Sequence, residues 1–96
     1  MIRVSVMYPK GDDATFDLDY YQASHMPLVH RAMPGVLRTE IDQAIDGPYL
    51  CVGHLYFESM ETLGAAMGAP TAGEAMADLP NFTNTQPVMQ VAQVLS

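Results

Sequence analysis

The segment from Asp17 to Met33 constrains the fold most, because it carries a helical pattern with a proline inside it. Leu18, Tyr21, His25, Leu28 and Ala32 recur at three- and four-residue intervals, which places them on one stripe of a helix facing a sheet. Asp17 is suited to cap that helix, since its carboxylate can accept from the free N–H groups of the first turn. Pro27 lacks an N–H and its ring crowds the carbonyl of Ala23. The helix is therefore expected to kink or break close to His25, with its second half running to about Met33.

The flanking sequence has the period of strands. Ile2, Val4, Val6 and Tyr8 alternate with Arg3, Ser5 and Met7 before Pro9 to Asp13 ends the run. After Pro34-Gly35, residues 36 to 45 resume a period of two, and Asp46-Gly47-Pro48 turns residues 49 to 58 back antiparallel. Ser59 can cap a short helix bearing Met60, Leu63, Ala66 and Met67, weakened by Gly64 and Gly68 and stopped by Pro70. Thr71 and Glu74 have capping-box spacing, so a second helical piece is expected up to Pro80, with Phe82 in the polar loop beyond. Val88 to Leu95 reads as a last strand. The order βαββαβ in a single domain, residues 1–96, predicts the α+β class: a ferredoxin-like, four-stranded antiparallel sheet.

In such a fold the helices cover one face of the sheet and leave the other without a layer. A chain of 96 residues buries little more than it needs to offset chain entropy, and only 16% of it is charged against about a quarter in ordinary globular proteins. Both facts predict a homodimer with two sheets face to face, enclosing a mixed cavity. In the third strand Cys51, Gly53, Leu55 and Phe57 suit the helix side, so His54 and Tyr56 are expected to face that cavity.

A net charge of −7 disfavours nucleic acid and anionic membrane surfaces as partners. Cys51 lies in an apolar run and reads as an inert packed thiol. The first residues lack the pattern of a signal peptide and no run reaches transmembrane length, so a cytoplasmic location is expected.

Among residues able to move protons, His25 stands out: it interrupts an apolar stripe, follows Tyr21 by one turn and borders the proline break. Its bland role would be to bond a freed carbonyl and fix the kink. Tyr21 could orient His25 or donate to a developing oxyanion, or serve as a core aromatic. His54 could share the cavity with His25, with Tyr56 beside it as a second substrate-binding residue. His30 reads as solvated, and Met7, Met33, Met67, Met76 and Met89 read as core rather than as pocket lining. The histidines share no metal-ligand spacing, four basic residues leave little to hold haem propionates, and no cofactor is expected.

Phe16-Asp17, Asp19-Tyr20-Tyr21 and His25-Met26-Pro27-Leu28 resemble the first-helix signature of the EthD family, named for a role in degrading ethyl tert-butyl ether. Pro48-Tyr49 and Leu55 to Ser59 extend the resemblance more loosely, and it departs at position 54, where the family pattern often has an acidic residue and this chain has His54. The resemblance implies a subunit pairing as a dimeric α/β barrel that handles a small hydrophobic molecule. Similar barrels include cofactor-independent oxidoreductases, isomerases and cyclases. The leading expectation is a protein of oxidative or aromatic catabolism with His25 as proton-transfer residue. The alternative is a non-catalytic ligand-binding protein or an accessory to an oxidoreductase.

Overall fold

The alternating first residues become the inner strand of a sheet in the computed structural model, which describes residues 1–96. Strand β1 (Ile2–Pro9) pairs antiparallel with β3 (Tyr49–Phe57) on one side and β4 (Val88–Gln93) on the other; β2 (Arg38–Gln43) pairs with β3. The order is β2-β3-β1-β4. The β2–β3 hairpin turns through Gly47, whose φ of 116° an L side chain rarely adopts. This is the α+β, ferredoxin-like architecture that the element order predicts.

Register sorts the strands into two faces. Ile2, Val4, Val6 and Tyr8 share the helix side with Phe57, Leu55, Gly53 and Cys51, as expected. Tyr8, Cys51 and Phe57 are essentially sealed from solvent, and full burial of a large apolar side chain stabilises by roughly 1.5–3 kcal/mol. Burial pushes the Cys51 thiol up to about 11, which leaves it an inert core group.

Asp17 caps α1 (Leu18–Tyr20) by accepting from the Tyr20 N–H at 3.0 Å. The irregularity expected near His25, a kink or a break, takes a different form without interruption of the helix. The chain instead widens into a π-helical turn (Tyr21–His25), in which the Met26 N–H reaches the Tyr21 carbonyl, and continues as α2 (Met26–Ala32). A proline that can neither donate nor tolerate the carbonyl four residues back is accommodated by one wide turn rather than by interruption.

Ser59 caps α3 (Met60–Met67) through the Thr62 N–H. A short α4 (Ala72–Ala77) and a 3-10 turn (Leu79–Asn81) follow. The capping box at Thr71 does not form. The Thr71 backbone is already helical, and its hydroxyl donates to the Ala32 carbonyl at 2.8 Å, tying α4 to the end of α2. Phe82, assigned by pattern to a polar loop, is buried, because residues 82 to 84 are stitched to residues 13 to 17. The Asp17 N–H donates to the Phe82 carbonyl at 2.7 Å and the Thr83 hydroxyl to the Thr15 carbonyl at 2.7 Å. No helix is long and apolar enough to cross a membrane.

Candidate functional site

The wide turn decides where the first helix points its polar groups. One π turn places Tyr21 and His25 with their rings stacked, centroids 5.3 Å apart and 19° from parallel, both buried against the sheet. Phe82 closes over them, its ring centroid 4.5 Å from that of His25 and 5.1 Å from that of Tyr21. Tyr8 and Phe16 complete the aromatic cluster.

The Tyr21 hydroxyl occupies the space above β3 where a side chain would stand, and Gly53 provides that space. A Cβ on Gly53 would overlap the hydroxyl. Burial, with the nearby Tyr8 and Cys51, pushes the Tyr21 phenol far above its ordinary range. Burial also raises Tyr8, to about 12. Both phenols stay protonated at neutral pH, so neither serves as a base.

His25 is 4% exposed and has one protein partner. Its Nδ1 lies 2.9 Å from Asp78 Oδ2, from a residue just ahead of the 3-10 turn. Asp78 also accepts from the Tyr20 hydroxyl at 2.7 Å and from Asn81 Nδ2 at 2.9 Å. Partial burial works to raise the Asp78 carboxyl, but the bonds from Asn81, His25 and Tyr20 outweigh it and hold the group below its ordinary value. Burial lowers the His25 pKa more than the Asp78 bond and charge raise it, so the imidazole is neutral near pH 7. With the carboxylate holding Nδ1–H, Nε2 carries the free lone pair.

His25 borders a cavity of about 260 Å³ between the sheet and the helices, where 13 of 16 lining residues are hydrophobic. Small residues make the room: Ala72, Gly73 and Ala75 of α4 lie above Val6 and Leu55. Met26 and Met33 are buried in its wall, while the half-exposed Met67, Met76 and Met89 stand at its edge. Met26, Met33, Met67, Met76 and Met89 are thus pocket lining, a use that suits their flexibility, whereas Met7 is not among the lining residues. The helices do not reach over β4, where Met89 and Val91 on the helix side remain about half exposed.

This cavity lies within one chain, between the sheet and the helices. This separates the four residues singled out in the sequence. His25 and Tyr21 are together in it; His54 and Tyr56 are on the opposite face, because strand alternation that points Gly53 and Leu55 inward points them out. His54 Nδ1 is 2.9 Å from Ser5 Oγ and its Nε2 2.7 Å from Asp42 Oδ2. The Tyr56 hydroxyl donates to Glu40 Oε1 at 2.6 Å, under the Arg38 guanidinium 4.1 Å from the ring centroid. Asp78 was missed by sequence reasoning; the sole hint is an acidic residue closing a short helix before Leu79-Pro80, with Asn81 three residues on. No group of three or more His, Cys, Asp or Glu could hold a metal ion.

Comparison with known proteins agrees with this architecture. A solved EthD-like protein from Ralstonia eutropha is 29% identical and superposes with a TM-score of 0.89, over 99% of this chain and 92% of that one. An ethyl tert-butyl ether D (EthD) family protein from Bacillus halodurans is 17% identical with a TM-score of 0.77, over 99% of both chains. SnoaB from Streptomyces nogalater, a cofactor-independent oxygenase, shares the fold at 12% identity and a TM-score of 0.66, over 99% and 92% of the two chains. No curated protein matches the sequence. These structures share the α+β, ferredoxin-like fold of this chain. The EthD domain matches residues 9–86, most of the chain, and with the structural agreement this establishes that the chain belongs to the EthD family.

Proposed function

We propose that this EthD-family chain acts in oxidative or aromatic catabolism, in the cytoplasm, by moving a proton on a small apolar molecule held in its cavity. The observation that carries this reading is the His25–Asp78 pair. A neutral imidazole has one nitrogen fixed by a carboxylate and the other left free at the edge of a largely apolar chamber. Proton abstraction by His25 would leave an enolate or phenolate. That is the starting point for isomerisation, cyclisation or reaction with oxygen, and the fold is one that carries a cofactor-independent oxygenase in SnoaB. Tyr21 contributes as a neutral phenol that fixes the ring plane of His25.

Replacing His25 with alanine is expected to lower turnover by roughly 10²- to 10⁴-fold, measured on a panel of phenols and enolisable ketones incubated under air with product analysis. Turnover equal to that of the unaltered protein would sink the catalytic role. Ligand retained unchanged by the unaltered protein would favour the binding-protein reading.

We further propose a homodimer built on the outer sheet face. Arg3, Ser5 and Met7, Val52, His54 and Tyr56, and Arg38, Glu40 and Asp42 share that face, and no helix covers it. Arg3 Nε is buried there without a protein partner, a cost that a second subunit could relieve. Light scattering on a size-exclusion column is expected to give twice the 10.5 kDa chain mass, and a stable monomer at micromolar concentration would contradict the dimer.

A further inference from the structure

Charge can be created in the cavity but not carried into it. The chain has four cationic side chains, and none of them lines the chamber. Arg3 and Arg38 belong to the outer sheet face, Lys10 follows β1 in an exposed loop, and Arg31 is exposed on α2. The polar side-chain groups among the lining residues are the His25 imidazole and the Tyr8 and Tyr21 hydroxyls. The fixed charge nearest the imidazole is negative, the Asp78 carboxylate on its far nitrogen. A ligand bringing its own carboxylate would lose hydration and meet a neutral imidazole backed by an anion, a loss that isolated buried charges do not recover.

An uncharged acid meets different electrostatics. When His25 Nε2 takes its proton, the C–H or O–H bond breaks, the electron pair stays on the ligand and the proton stays on Nε2. The new anion is born beside a new imidazolium, and Asp78, already accepting from Nδ1–H, steadies that cation. Total charge in the site does not change. A carboxylate could reach the same pairing only by drawing a proton from solvent onto His25, which would occupy the base the reaction needs.

We infer that the substrate is an uncharged, largely apolar molecule carrying a C–H or O–H acid, and that molecules bearing a carboxylate are rejected. This inference rests on the proton-transfer reading of His25 and deepens it.

The test uses 1-tetralone, an uncharged two-ring ketone with acidic α-hydrogens, and 2-naphthoate, an anion of similar frame. Calorimetry at pH 8 is expected to find 1-tetralone bound roughly 30-fold or more tightly than 2-naphthoate, with the gap narrowing at pH 5.5 as carboxylate enters with a proton. The unaltered protein in deuterium oxide is expected to accelerate α-hydrogen exchange of 1-tetralone, and the His25→Ala protein is not. Binding of 2-naphthoate at pH 8 as tightly as 1-tetralone, or no binding of 1-tetralone at millimolar concentration, would overturn the inference. Charge discrimination with equal exchange in both proteins would instead uphold the selection of uncharged ligands and remove His25 as the base.

Discussion

Replacing Asp78 with asparagine is expected to lower turnover by roughly 10²-fold or more and to move the acid limb of the pH–rate profile to lower pH. The carboxamide has the shape of the carboxylate and can still accept from the His25 Nδ1–H, so the ring need not move. What disappears is the negative charge. In the native site burial lowers the His25 pKa, and the hydrogen bond and charge of Asp78 raise it part of the way back. Without the charge the lowering dominates further. His25 acts as a base only when neutral, so activity rises with pH through its pKa, and a lower pKa places that rise at lower pH. The plateau falls because the imidazole is a weaker base. A role in holding the fold alone would reduce activity at every pH and leave the limb in place. A limb that stays put or moves to higher pH would contradict Asp78 as the positioning residue.

Gly53 sets the second large effect. Gly53→Ala is expected to destabilise the protein by about 1–3 kcal/mol, read as a lower urea midpoint, and to impair turnover with it. The new methyl carbon would overlap the Tyr21 hydroxyl, and the ring has nowhere to swing. Tyr8, Phe16 and Phe82 hold it at centroid distances of 5.6, 5.0 and 5.1 Å, and His25 is stacked on it. Movement of Tyr21 therefore moves His25. Tyr21→Phe removes the obstructing oxygen, so adding Gly53→Ala to a Tyr21→Phe chain is expected to cost much less than adding it to the native one. This is a coupling that a double-mutant cycle measures directly. Equal costs in both backgrounds would show that the hydroxyl is not the obstacle.

Most of the fold was legible from local pattern. Alternation in residues 2 to 8 and 49 to 58 identified two strands and assigned Cys51, Gly53, Leu55 and Phe57 to the helix side. Caps at Asp17 and Ser59 were readable because the capping side chain bonds an N–H three residues on. Where local signals misled, a distant partner had intervened. Thr71 had the spacing of a capping box, yet its hydroxyl is taken by Ala32, and Phe82 looked like a loop residue until the segment at Phe16 supplied a partner. The proline in the first helix was a correct sign of irregularity, but whether it breaks, kinks or widens depends on the packing of Tyr21 and His25 beneath Phe82.

The candidate site divides along the same line. His25 and Tyr21 were readable as neighbours because one helical turn joins them. Asp78 is 53 residues from His25 in sequence, and no periodicity reports a contact of that range. His54 and Tyr56 carry chemistry of equal appeal in the sequence, and strand alternation correctly set them apart from the helix side. Which face holds the cavity could not be read from alternation, because the chamber exists only where Ala72, Gly73 and Ala75 are brought over Val6 and Leu55.

Sequence alone thus determined what is set within a turn or a strand: element order, the inward and outward faces of the sheet, membership in the EthD family and the His25–Tyr21 pair. Tertiary structure alone decided the pairing of His25 with Asp78, the requirement for glycine at position 53 and the side of the sheet on which the apolar cavity lies. The physical reason is range. Backbone periodicity and capping act over a few residues, whereas the pKa of a buried imidazole and the volume of a cavity depend on atoms that only chain folding brings together.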